Sequence, residues 1–85
     1  MVNPARVLVV EDDDTIRTAL VAAVESRGWV ASAMVDGDGL EGVLGTFRPD
    51  LVLLDWMLPG RSGIELAKVV SAAGDAGMIL LTARD

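Results

Sequence analysis

Eighty-five residues with 52% hydrophobic and 24% charged side chains describe one small globular domain, short for one that must bury a sizeable core, and exclude a disordered chain. Neither cysteine nor histidine is present, so disulfides, thiolate metal sites and imidazole chemistry are excluded, and any metal must be held by oxygen. A formal charge of −6 speaks against direct nucleic-acid binding, which rests largely on Lys and Arg neutralising phosphates.

Arg6-Val7-Leu8-Val9-Val10 is a continuous apolar run closed by acids, and it predicts a strand buried on both faces, as in a parallel sheet. From Asp14 to Arg27 the period changes: Ile16, Leu20, Ala23, Val24 and Arg27 share one helical stripe. Asp13 or Asp14 can serve as its N-cap, and Gly28 stands where a left-handed C-cap is usual. Trp29 to Val35 predicts a second strand. Asp38-Gly39-Leu40-Glu41 has capping-box spacing, and Leu40, Val43, Leu44 and Phe47 follow at helical intervals. Arg48-Pro49-Asp50 breaks that helix before a third strand, Leu51 to Asp55. Beyond Leu58-Pro59-Gly60-Arg61, a second capping box, Ser62-Gly63-Ile64-Glu65, opens a helix to Ala73. Residues 73–77 read as a loop, and Met78-Ile79-Leu80-Leu81 is a fourth apolar run ending at Thr82. The order βαβαβαβ predicts an α/β fold with right-handed crossovers and a parallel sheet covered by helices on both faces. No apolar run approaches the ~18 residues of a membrane span, and the N-terminus has no signal-peptide form.

In an open parallel sheet, sites form outside the carboxyl ends of the strands. Glu11, Asp12 and Asp13 follow the first strand, Asp55 ends the third and Thr82 follows the fourth. If those strands are neighbours, the groups converge on one patch. Carboxylates brought together repel one another unless a cation neutralises them. An all-oxygen site with few carboxylates suits Mg²⁺, and such a site can assist attack by a carboxylate on a phosphoryl group. Taken singly, each feature has a plainer reading. Acids after a strand cap helices, Asp55 can be an ordinary strand-end residue, and Thr is at home in strands; the conjunction at three strand ends favours a site. Gly37-Asp38-Gly39-Leu40-Glu41-Gly42 matches a dinucleotide-binding fingerprint, but it follows the second strand and sets Asp38 and Glu41 where pyrophosphate would lie. Turn and helix-start glycines explain it better.

Val7-Leu8-Val9-Val10-Glu11-Asp12-Asp13, the stretch Pro49 to Gly60 with Ser62-Gly63, and Leu81-Thr82-Ala83-Arg84 resemble the receiver domain of bacterial two-component response regulators. The likeness runs along the entire chain, and Leu54-Asp55-Trp56-Met57-Leu58-Pro59-Gly60 most resembles regulators of the OmpR/PhoB type, which carry a winged-helix DNA-binding domain. The resemblance implies a three-layer, doubly wound, flavodoxin-like sheet of order 2-1-3-4, the family's fifth strand being missing. It implies that Asp55 accepts a phosphoryl group from a sensor histidine kinase. Glu11, Asp12 and Asp55 would hold Mg²⁺ together with the main-chain carbonyl of Met57, and Thr82 would be the switch hydroxyl. The sequence ends at Asp85, before the family's lysine and aromatic switch positions. It therefore reads as a receiver domain, residues 1–85, truncated after the fourth strand and without an effector domain.

The expected function is a phosphoacceptor signalling module, not an enzyme, in a cytoplasmic protein away from membranes. It would control transcription by contacting DNA only through an effector domain absent here. The chain is expected to associate with itself through the edge of the fourth strand, to exchange elements with a partner chain, or to be part of a longer protein. The alternative is a receiver-like binding or dimerisation module that is not phosphorylated. A Mg²⁺-dependent phosphatase of the aspartyl-phosphate kind ranks last, because Met57 stands where those enzymes usually place a second acid.

Overall fold

A computed structural model describes residues 3–81 of the chain. Four parallel strands, β1 (Arg6–Val10), β2 (Val30–Met34), β3 (Leu51–Asp55) and β4 (Gly77–Leu81), lie in the order β2-β1-β3-β4. They alternate with α1 (Asp14–Ser26), α2 (Leu40–Phe47) and α3 (Gly63–Ala73). The architecture is the expected doubly wound α/β sheet.

Why the central strands are apolar throughout follows from their position. β1 pairs with β2 on one side and β3 on the other, so both its edges are hydrogen-bonded and both its faces are covered. Side chains alternate between faces: Leu8 and Val10, with Val52 and Leu54 of β3, join Leu40 and Leu44 of α2 and Leu66 and Val70 of α3 in one buried cluster. Val7 and Val9 point the other way and are also buried, on the face against which α1 packs. Each fully buried Leu or Val contributes about 1.5–3 kcal/mol.

The expected boundaries shift in small ways. β2 is shorter than Trp29–Val35 by one residue at each end; Val35, 53% exposed, belongs to the following loop. α1 stops at Ser26 with Arg27 as its C-cap, and Asp13, rather than Asp14, is its N-cap, accepting from the Ile16 N–H at 2.9 Å. Of the expected α1 stripe only Val24 is buried, whereas Ile16, Ala23 and Arg27 are exposed.

The first capping box does not form. Gly39 is the N-cap of α2, at φ 81°, and no side chain caps the helix. That left-handed step suits a residue without Cβ and sets Asp38 one position too early to cap. The Asp38 N–H instead donates to Asp36 Oδ1 at 2.9 Å. The second box forms by half. Ser62 Oγ accepts from the Glu65 N–H at 3.1 Å, while the Glu65 carboxylate turns to Arg61 Nε at 3.1 Å. The apparent dinucleotide fingerprint is resolved likewise: Gly37 is buried against Leu66, where a Cβ would meet Leu66 Cδ2 at 2.5 Å.

Candidate metal centre

Two strand ends build the site. The Glu11 N–H donates to the Met34 carbonyl at 3.0 Å, carrying the β1–β2 ladder one residue past β1 and holding Glu11 at the lip of the sheet. Asp55 is the last residue of β3, in register with Leu81, and the Trp56 N–H donates to the Leu81 carbonyl at 2.9 Å. Because β1 and β3 are neighbours, the acids that follow them converge. One carboxylate oxygen from each of Glu11, Asp12 and Asp55 lies within 4.8 Å of the others.

Glu11 and Asp55 are each only 4% exposed, whereas Asp12 faces solvent. Their first partners are backbone donors: Glu11 Oε2 accepts from the Asp13 N–H at 3.1 Å, and Asp55 Oδ1 from the Met57 N–H at 3.0 Å. Among the described residues, no ion pair reaches any of the three carboxylates. Burial raises the Glu11 carboxyl above its ordinary value; the Asp13 N–H opposes this, and the neighbouring Asp55 and Asp12 carboxyls add to it. A carboxyl cluster of this kind is an unbalanced charge, and a hard cation with oxygen preference is the group that balances it. The site can hold a metal.

The acids floor an open depression of about 530 Å³, with Ile16 and Met57 also lining it. Met57 thus stands at the rim, 60% exposed, with its backbone bonded to Asp55. Asp13, the remaining acid of the triplet, turns to capping α1. Thr82 lies outside the described residues.

The contacts of two arginines escaped the sequence reading. Arg17 Nη1 donates to the Glu11 carbonyl at 3.0 Å and to the Asp12 carbonyl at 3.4 Å, and its spacing from Asp14 was the available signal. Arg61, in the loop between β3 and α3, grips Glu41 of α2 with two bonds of 2.8 Å and Glu65 of α3 with one of 3.1 Å. Its i,i+4 spacing to Glu65 was legible; its pairing with Glu41 was not.

A parallel sheet of order 2-1-3-4 with acids gathered at the ends of β1 and β3 defines the class of two-component receiver domains, and the chain belongs to the response regulator receiver domain family, which it matches over residues 7–85. It is 44% identical over 85 residues to the transcriptional regulatory protein CseB of Streptomyces coelicolor, covering 99% of this chain and 36% of that protein. Over 79 residues it is 37% identical to the DNA-binding response regulator MtrA of Mycobacterium tuberculosis, covering 93% of this chain and 35% of that protein. The chain thus spans about a third of the length of the curated relatives it matches. The BeF3-activated receiver domain of Klebsiella pneumoniae RstA superimposes with a TM-score of 0.86 at 34% identity, covering 94% of this chain and 68% of that one.

Proposed function

We propose that this receiver domain takes up a phosphoryl group on Asp55, with Mg²⁺ held by Glu11, Asp12, Asp55 and the Met57 main-chain carbonyl. The observation that carries the reading is the meeting of three carboxylates within 4.8 Å at the ends of two adjacent strands, with Asp55 the terminal residue of one of them. β3 is paired on both sides, so its last residue is held rigidly, as a nucleophile requires. An Asp55 carboxylate oxygen attacks phosphorus, the bond from phosphorus to a kinase phosphohistidine nitrogen breaks, and the imidazole leaves with the electron pair. Mg²⁺, when bound, offsets the negative charge of the carboxylates and of the incoming phosphoryl oxygens. Thr82 is assigned the switch hydroxyl on the strength of the family motif.

The partner is a sensor histidine kinase and the setting the cytoplasm. The output is transcription control, as the names of CseB and MtrA suggest for those proteins, and any DNA contact is left to a segment other than this acidic domain. Incubation with acetyl phosphate and Mg²⁺ followed by intact mass measurement tests the reading. One phosphoryl mass is expected on the wild type and none on Asp55→Ala; equal uptake by both overturns the assignment.

A second reading has its own observation. β4 is the outer strand of the described sheet, and its Ile79 and Leu80 are 49% and 41% exposed. That surface suits a module that associates without being phosphorylated. Absence of any mass increase, together with self-association, would favour it.

A further inference from the structure

Arg17 stands one turn into α1, and its side chain is only 19% exposed. An arginine so placed on a helix start beside acids reads at first as a surface ion pair, and its Nη2 does pair with the Asp14 carboxylate. Its other terminal nitrogen does something different. Nη1 reaches back across the β1–α1 loop to the main-chain carbonyls of Glu11 and Asp12, at 3.0 and 3.4 Å. No described hydrogen bond runs from Arg17 to the carboxylates of Glu11, Asp12 or Asp55.

We infer that Arg17 is a positioning residue for the metal centre: its guanidinium pins the peptide groups of Glu11 and Asp12, so that both carboxylates face Asp55 before a cation arrives. The inference rests on the Mg²⁺ reading above. It concerns how the loop is held, not which oxygens bind. Glu11 is anchored at its N–H by the β1–β2 ladder and at its carbonyl by Arg17; Asp12 has the Arg17 contact at its carbonyl. Three carboxylates repel one another when no cation is bound, and a loop of adjacent acids left to itself would splay. A planar, delocalised fork can serve two carbonyls and a carboxylate at once, which a lysine ammonium on its flexible stem does poorly.

The two effects of Arg17 on Mg²⁺ affinity have opposite signs, and this makes the inference decidable. As a positive charge near a cation site, Arg17 weakens Mg²⁺ binding, so its removal strengthens binding. As the anchor of the ligand loop, it strengthens Mg²⁺ binding, because outer partners of a metal site typically contribute 10–100-fold in affinity.

The test is Mg²⁺ titration of the chain followed by Trp56 fluorescence, with circular dichroism confirming an equal folded fraction. Arg17→Met is expected to lower the affinity about tenfold, and Arg17→Lys, which keeps the charge and loses the fork, to lower it as well. Affinity equal to or tighter than wild type in Arg17→Met overturns the inference. So does a wild-type value in Arg17→Lys, which decides alone if Arg17→Met does not fold. Asp12→Ala separates this failure from that of the parent reading: if Asp12→Ala responds to Mg²⁺ as wild type does, or wild type does not respond, the metal assignment itself falls and the positioning role with it.

Discussion

Glu11 and Asp12 are neighbours in sequence with opposite surroundings: Glu11 is buried behind the lip of the sheet, and Asp12 stands in solvent. The consequence for pH follows from burial. The Glu11 carboxyl ionises at its ordinary value in the unfolded chain and at a higher one in the fold. Metal-free stability therefore falls as pH rises from the first value to the second, and stays lower above it. Glu11→Gln should raise the melting temperature of the metal-free chain at neutral pH and leave it unchanged well below the ordinary carboxyl range; a neutral-pH melting temperature below wild type would contradict this. Asp12→Ala should lower Mg²⁺ affinity on the order of tenfold or more, read by Trp56 fluorescence. An unaltered titration would remove Asp12 from the ligand set.

At the scale of elements, the loop between β3 and α3 is held at one end by the Met57 N–H on Asp55 and elsewhere by contacts away from the carboxylate cluster. Gly63, the first residue of α3, lies against Trp56: a Cβ there would meet the Trp56 carbonyl oxygen and ring Cε3 at 2.9 Å each. The carbonyl cannot rotate away as a side chain can. Gly63→Ala should therefore cost about 1–3 kcal/mol, a fall of about 4 °C or more in melting temperature; a melting temperature equal to wild type would mean that the loop yields. Arg61 ties the same loop to α2 and α3, and its guanidinium holds the Glu41 carboxyl down to about 2. The pairing stabilises the fold above the ordinary carboxyl value near 4.5 and is lost as pH falls toward 2. The stability difference between wild type and Arg61→Met should hence be full at neutral pH, shrink on acidification and shrink in added salt, since the pair is exposed. A difference independent of pH and salt would assign Arg61 a packing role instead.

For the whole molecule, the sheet is protected unevenly. Its centre is covered on both faces, while β4 has backbone paired only to β3 in the described sheet and carries half-exposed Ile79 and Leu80. An uncharged apolar edge is a template for pairing with another chain, and each such side chain buried contributes about 1.5–3 kcal/mol. The 85-residue chain on its own should associate at micromolar concentration in sedimentation, and Ile79→Lys should weaken that association. A cooperatively folding monomer would overturn the expectation.

Sequence alone determined the order and type of the elements, because those follow from short-range physics. Apolar runs such as Val7–Val10 and Leu51–Leu54 want burial on both faces, Asp13 and Ser62 carry oxygens that cap the next helix, and strand-end acids such as Glu11 and Asp55 stop a buried run. The motif around Asp55 likewise sufficed to identify the family. Tertiary structure decided whatever depends on which strands are neighbours. Only the insertion of β1 between β2 and β3 brings Glu11 and Asp12 against Asp55, and only the packing of α2 beside the β3–α3 loop brings Arg61 to Glu41, twenty positions away. The first capping box failed for the same reason in miniature. Its spacing was right, but Gly39 took the left-handed step and Arg61 took Glu41. Periodicity acts along the chain and is visible in it; charge pairing acts through space, and the fold chooses the partners.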